Sequence, residues 1–283
     1  MASPSDYQFE HFNVAFPAEY VVHVEINRPQ KLNAFDEPMW LELRTIFDRL
    51  SQDPNVRAVV LSGAGPKAFT AGLDVQYATQ SKVLFGEGEG GDSARTAQGI
   101  RRYIAGFQDC ISSIERCEKP VIAILHGHTI GLGIDISCCA DIRLCAARTT
   151  FSVKEVDIGL AADIGTLTRL PKVVGAHSWV KDVSLTARAF DAPEALRVGF
   201  VSAVLDDKAA ALAEGLRVAG VLAAKSPVAV QGTKELLNYS RDHSTADGLR
   251  YTGVWNSAAV QTPDVKEAIT AGLARRKPSF AKL

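Results

Sequence analysis

Short runs of β-branched and aliphatic residues recur between segments of helical spacing, and this alternation constrains the fold more than any other feature of the chain. The runs are Tyr20 to Ile26, Arg57 to Ser62, Val121 to Leu125 and Asp141 to Ala146. The first ends on Asn27-Arg28-Pro29 and the second on Gly63-Ala64-Gly65-Pro66, residues that stop a strand and start a turn. A short apolar run suits a strand covered on both faces, as in a parallel sheet flanked by helices. Between the first two runs, Asp36 precedes Glu37-Pro38 in a favourable helical first turn, and Trp40, Leu43, Phe47 and Leu50 fall on one face. A longer helical segment extends from about Ala94 to Cys117. Strand, helix and strand in this order predict an α/β fold of parallel neighbours joined by right-handed crossovers.

Beyond residue 163 the spacing turns helical, over Ile164 to Val173, Ala176 to Thr186 and Pro193 to Val198. Val201 to Leu205 reads as one more strand closing the sheet, and Ile134 to Cys139 as a short helix. From Lys208 the chain is helix on helix, broken at Ser226-Pro227 and Thr262-Pro263. The organisation is therefore a core over residues 1–205 and a helical region over residues 206–283 of the same unit, with Tyr251 and Trp255 read as packing or subunit contacts. A chain of 283 residues accommodates this. Gly86 to Asp92 holds neither helix nor strand and reads as a surface loop, a candidate lid.

Composition excludes several classes. The formal net charge is -1 with Lys and Arg dispersed, where a nucleic-acid footprint needs a concentrated basic face. No apolar run approaches the roughly 20 residues of a membrane span, and the first residues lack a signal-peptide pattern. Cys110, Cys117, Cys138, Cys139 and Cys145 lack paired C-x-x-C spacing and read as buried free thiols. Ala281-Lys282-Leu283 is close to the Ser-Lys-Leu peroxisomal address, which predicts a peroxisomal import receptor as a partner.

Three acids carry the chemistry. Asp135, Glu155 and Asp163 stand among Ile, Leu, Val and Ala, and a carboxylate drawn out of water has its pKa raised toward the range in which it both takes and gives a proton. Two glycine turns, Phe69-Thr-Ala-Gly-Leu-Asp74 and Gly127-His-Thr-Ile-Gly-Leu-Gly133, are placed to aim the backbone N–H groups of Leu73 and Leu132 at a developing oxyanion. Each acid also has an ordinary explanation: Asp163 as the N-cap of the next helix, Asp135 as a favourable charge at a helix start, Glu155 as half of an ion pair with Lys154. His126 and His128 lack a third ligand at usable spacing and read as structural; Arg28, Lys31 and Lys282 read as solvated surface or, alternatively, as phosphate contacts.

Taken together the segments Asn27-Arg-Pro-Gln-Lys-Leu-Asn-Ala34, Lys67-Ala-Phe-Thr-Ala-Gly-Leu-Asp74, Lys119-Pro-Val-Ile-Ala123, His126 to Asp135 and Cys139-Ala-Asp-Ile-Arg143 resemble the crotonase, or enoyl-CoA hydratase/isomerase, superfamily. The resemblance implies a spiral of ββα units with a C-terminal helical trimerisation region, an acyl-CoA substrate, and a homotrimer or homohexamer. It also implies CoA-thioester contacts at Ala34, Ala71, Gly72, Asp74, Val75, Gln76 and Gly133, with the turn near Ala34 close to the adenine end. Leu132 stands where relatives often have Gly. Typical hydratases have Glu at the position of Asp135 and a small residue at that of Asp163, whereas Val153 to Lys172, Lys225 to Gly232 and Tyr239 to Ser244 look like the Δ3,5-Δ2,4-dienoyl-CoA isomerases.

That reaction moves two double bonds toward the thioester: a proton leaves C2 and another arrives at C6. By resemblance Asp163 serves C2 and Glu155 serves C6, the reverse assignment staying open, while Asp135 tunes or orients them. No metal or redox cofactor is expected, CoA being part of the substrate. The alternatives are 2-enoyl-CoA hydration, a 3-enoyl to 2-enoyl shift, or a non-catalytic member that binds RNA or protein.

Overall fold

The computed structural model describes residues 7–80 and 92–283. The chain starts with an antiparallel hairpin, β1 (Phe12–Ala18) and β2 (Val21–Ile26), turning at Tyr20 with φ +62°. The Asp36 carboxylate then accepts from the Met39 N–H at 3.3 Å and starts α1 (Glu37–Gln52), which buries Met39, Trp40, Leu43, Ile46, Phe47 and Leu50. After this helix come β3 (Ala58–Gly63), β4 (Ala68–Thr70), the single turn α2 (Val75–Ala78) and the long α3 (Ser93–Arg116).

The next units repeat the scheme. β5 (Val121–Leu125) and β6 (His128–Ile130) lead into α4 (Leu132–Cys139), and β7 (Ile142–Ala146) and β8 (Thr150–Ser152) lead into α5 (Thr166–Val174) and α6 (His177–Thr186). The chain continues through β9 (Phe190–Asp191), α7 (Ala192–Arg197) and β10 (Ala203–Leu205) to α8 (Lys208–Ala223), α9 (Pro227–Asp242), α10 (Thr245–Ala259) and α11 (Pro263–Leu273).

Two sheets result, in the orders β1-β2-β3-β5-β7-β10 and β4-β6-β8-β9. The larger is parallel beyond its hairpin, and the smaller is parallel apart from β8 with β9. Each of the pairs β3/β4, β5/β6 and β7/β8 steps from the large sheet to the small one before helical chain returns, so the unit is ββα and the path is a spiral. The large core lies against α1, α3 and α4. On the other face of the large sheet, Val60, Ile122, Ile124 and Leu144 meet Ala211 and Ala219 of α8, where a Cβ at Gly215 would overlap Ile124 Cδ1. Residue 206 is thus a boundary along the chain and not through the core.

The sequence reading misses β1 and the strands of the small sheet. The latter are two or three residues long and carry Thr70, His128, Thr129 and Ser152, so no apolar run announces them. The helix expected from Ile134 begins at Leu132, because Gly131 with φ +53° ends β6 abruptly. Residues 86–91 of the segment read as a lid lie outside the described residues. Among the described residues no helix is long and apolar enough to cross a membrane.

Candidate active site

The chain leaving β4, β6 and β8 of the small sheet lines one cavity of about 400 Å³. Its apolar wall includes Trp40, Tyr103, Ile104 and Phe107, brought together where α1 packs on α3. The same cavity is lined by Asp135, Glu155 and Asp163, together with Leu73 and Leu132. Residues scattered between Trp40 and Ile164 share one pocket because the spiral returns to the same place at each ββα unit.

The two glycine turns abut. The segment Ala71 to Asp74 is stitched to the chain at 32–35 by Ala71 N–H to Leu32 O, Phe35 N–H to Gly72 O and Asp74 N–H to Phe35 O, at 2.9, 2.8 and 2.8 Å. In extended backbone successive N–H groups alternate sides, so the Leu73 N–H faces away from Phe35. Gly72, at φ +96°, permits the approach: a Cβ there would stand 2.9 Å from Ile130 O and 3.5 Å from the Leu132 nitrogen. Leu132 is the first residue of α4, where N–H groups have no intrahelical acceptor. Among the described residues neither the Leu73 nor the Leu132 N–H donates a hydrogen bond. The arrangement offers two adjacent donors at a helix start, suited to an oxyanion.

The acids differ in environment. Asp135, on the first turn of α4 and 2% exposed, is pushed up to about 7, first by burial and then by the charge of Glu155. Its Oδ1 accepts from both the backbone N–H and the hydroxyl of Thr166 at 2.6 and 2.8 Å. Glu155 opens the 3-10 turn Glu155–Ile158; burial raises its carboxyl, and the Asp163 charge adds to this against nearby backbone N–H groups. Its Oε2 is buried without a partner, and Oε1 lies 3.2 Å from where a Cβ at Gly131 would stand. Asp163 is exposed at the cavity wall, yet removal from water on its cavity side raises its carboxyl too. Burial thus raises all three carboxyls, the direction that suits groups that take and give protons.

Two of the ordinary explanations fail. Asp163 does not cap the next helix: Gly165 occupies the N-cap position without a side chain, and Asp135 from another element takes the Thr166 N–H. Nor does Glu155 pair with Lys154, whose ammonium binds Asp157 at 2.6 Å.

Of the residues expected at the thioester, Ala71, Gly72, Leu73, Val75 and Leu132 line the cavity with the three acids, while Ala34, Asp74, Gln76 and Gly133 do not. Gly133 packs under the site, a Cβ there meeting Thr70 Cγ2 at 3.1 Å. Asp74 caps α2 through the Tyr77 N–H and pairs with Arg28 at 2.8 Å; Arg28 also donates to Ala34 O at 2.8 Å and meets Asp36 at 3.3 Å. Arg28 is thereby a knot tying the first glycine turn to α1, a role its place beside a turn did not suggest. Lys31 donates to Gln76 at 2.8 Å. His126 is buried with Nε2 on Gly65 O at 3.0 Å, and burial lowers it to about 4; neither it nor His128 lines the cavity. Missed altogether from sequence were Thr166 and the aromatic wall, Trp40 having been read only as core.

Comparison with known proteins gives a consistent result. Residues 18–282 match the family model described as enoyl-CoA hydratase/isomerase. The chain is 46% identical over 266 residues to the mitochondrial Delta(3,5)-Delta(2,4)-dienoyl-CoA isomerase of Homo sapiens, covering 94% of this chain and 80% of that one. It is 42% identical to the peroxisomal Delta(3,5)-Delta(2,4)-dienoyl-CoA isomerase of Arabidopsis thaliana, covering 93% of each. The crystal structure of an enoyl-CoA hydratase from Bacillus anthracis superposes with a TM-score of 0.86 at 24% identity, over 96% of this chain and 99% of that one, which shows the shared fold.

Proposed function

The chain belongs to the enoyl-CoA hydratase/isomerase family, and within it we propose that the protein is an isomerase converting 3,5-dienoyl-CoA thioesters to 2,4-dienoyl-CoA thioesters in fatty-acid β-oxidation. The observation that carries the reading is the convergence of Glu155 and Asp163, with Asp135 behind them, on the cavity that also holds the Leu73 and Leu132 donors. The relatives named dienoyl-CoA isomerase at 42 to 46% identity support it.

In the proposed reaction the thioester oxygen lies between the Leu73 and Leu132 N–H groups. The Asp163 carboxylate takes a proton from C2, the electron pair spreads through the diene onto that oxygen, and the Glu155 carboxyl delivers a proton to C6. Two acids are needed because the two carbons lie apart along a flat chain. Each turnover leaves the acids with exchanged protonation, which is the starting state of the reverse reaction, and a proton must pass from Asp163 to Glu155 or through solvent to reset them. Only protons move, so the reaction requires neither a metal nor a redox cofactor. Asp135 stays close to Glu155 and couples to its charge.

The relatives are mitochondrial or peroxisomal by name. A peroxisomal address in Ala281-Lys282-Leu283, read by an import receptor, is part of the proposal, and imaging of a fluorescent fusion with and without Leu283 tests it. A homotrimer or homohexamer is likewise proposed. The exposed Leu237, Leu249, Val254, Ile269 and Leu273 of α9 to α11 support it, and light scattering measures it.

The direct test is ultraviolet absorbance with a 3,5-dienoyl-CoA, beside 2-enoyl-CoA and 3-enoyl-CoA. Turnover of the dienoyl thioester is expected to dominate. Faster hydration of 2-enoyl-CoA would replace the reading with that of a hydratase.

A further inference from the structure

Arg169 lies on the other side of the turn that carries Asp163. Its guanidinium, 14% exposed, donates from Nε and Nη2 to Glu115 Oε2 of α3 at 3.0 and 2.9 Å, and from Nη2 to Ser112 Oγ at 2.8 Å. Arg241 of α9 meets the other Glu115 oxygen. One carboxylate thus ties α3, α5 and α9 together. Gly165, at φ +157°, passes so close that a Cβ there would overlap Arg169 Nη1 while coming within 3.8 Å of Asp135 Oδ1. The guanidinium and the Asp135 carboxylate therefore flank the same glycine, between Asp163 and Thr166. Arg169 lines a polar cavity of about 350 Å³ that shares Asp163 with the acyl pocket, and it does not line the acyl pocket itself.

We propose that Arg169, oriented by Glu115, is a positioning residue for the acids: it braces the Gly165 turn so that Asp163 enters the cavity and Thr166 meets Asp135. The proposal rests on the isomerase reading and names a residue that reading does not use. A planar fork fixes both the direction and the depth of the contact with Glu115, whereas an ammonium supplies charge alone. Misplacement of a reacting group by about 1 Å costs about a hundredfold in rate. The charged and titratable groups facing Asp135 are Glu155 from its 3-10 turn, Arg169 from α5, and the Cys138 and Cys139 thiols of its own helix. Arg169 is the cation among them.

The experiment compares wild type, Arg169→Lys, Arg169→Met and Glu115→Gln, with Arg188→Met as a control that breaks a pair with Glu194 outside the acyl pocket. Steady-state rates on a 3,5-dienoyl-CoA, their pH profiles and thermal unfolding are measured. Arg169→Met is expected to lower kcat by about a hundredfold with KM little changed, and to move the profile limb set by the acids toward higher pH. Arg169→Lys is expected to lose rate without moving the limb, and Glu115→Gln to lose rate less steeply. These two carry the test where Arg169→Met does not fold. Variants that melt earlier, as the control does, yet keep the wild-type kcat would overturn the proposal, as would a loss confined to KM. An inactive wild type would defeat the isomerase reading, and this inference with it.

Discussion

Thr166 grips Asp135 twice, its N–H and its hydroxyl both donating to the same carboxylate oxygen at 2.6 and 2.8 Å. This fastens the start of α5 to α4 and offsets part of the cost of burying the carboxyl. Thr166→Val keeps the shape and removes the hydroxyl, so a buried acceptor is left with one donor. We expect a loss of about 1–3 kcal/mol in urea unfolding, with the Asp135 carboxyl pushed higher still. An unchanged midpoint would assign the whole interaction to the backbone N–H.

Stability should carry the mark of Asp135 in its pH dependence. Burial first, and Glu155 second, hold its folded pKa at about 7, against about 4 in an unfolded chain. Between those values the folded chain keeps a proton that the unfolded chain has released. The stabilisation from this group is therefore full below about pH 4 and is lost as pH rises through the folded pKa. Asp135→Asn removes the dependence. Denaturation measured from pH 4 to 8 should show wild type losing ground against the variant as pH rises, and parallel curves would refute the raised pKa.

Asp163→Asn and Glu155→Gln test the proton path. Each keeps side-chain size and removes the titratable carboxyl, so turnover should fall by about 10²–10⁴-fold while CoA binding stays near wild type. The pH profile should also lose one limb in each variant. Calorimetric titration with CoA separates loss of chemistry from loss of binding, and wild-type turnover in either variant would remove that acid from the mechanism.

How far the sequence carries this picture differs from element to element. β3, β5 and α1 are legible because burial on both faces, or on one helical face, leaves a period in the residues. β4, β6, β8 and β9 are too short to show one, and their pairing depends on register with strands far away in sequence. Asp135, Glu155 and Asp163 are legible because acids in apolar surroundings demand a reason. What each acid touches is not: Asp163 directly precedes a helix and looks like its cap, yet Gly165 carries the chain past it and the capping contact comes from Asp135, 31 residues earlier. Arg169 is invisible as a site residue for the same reason, and Arg28 is legible only as surface or a phosphate contact, since their partners Glu115 and Asp74 lie 54 and 46 residues away.

Gly72 is the position where backbone geometry and chemistry coincide. At φ +96°, and with a Cβ 2.9 Å from Ile130 O, alanine is excluded by conformation and by space together. Gly72→Ala should turn the Leu73 N–H away from Leu132. Removal of one oxyanion donor costs about 10²–10³-fold in kcat, and a loss of that size in a variant still folded by circular dichroism is expected. A folded variant with intact kcat would show that Leu73 is not a donor.

Trp40 should set the acyl chains that are accepted. It is 3% exposed, stacks on Phe107 with centroids 3.9 Å apart at 22°, and meets Tyr103 edge-on at 6.3 Å. All three rings line the cavity, so part of its wall is a packed aromatic cluster. Because α1 and α3 pack through this stack, truncation to alanine would cost about 3–5 kcal/mol and confuse stability with specificity. Trp40→Phe keeps an aromatic ring against Phe107 and frees the space of the second ring. In a hydrophobic pocket one methylene is worth about 10–200-fold in kcat/KM, so the ratio of kcat/KM for longer over shorter 3,5-dienoyl-CoA substrates should rise by about tenfold or more. The ratio cancels any uniform loss of active protein. If it stays at the wild-type value while the variant remains folded, the acyl chain does not end against Trp40.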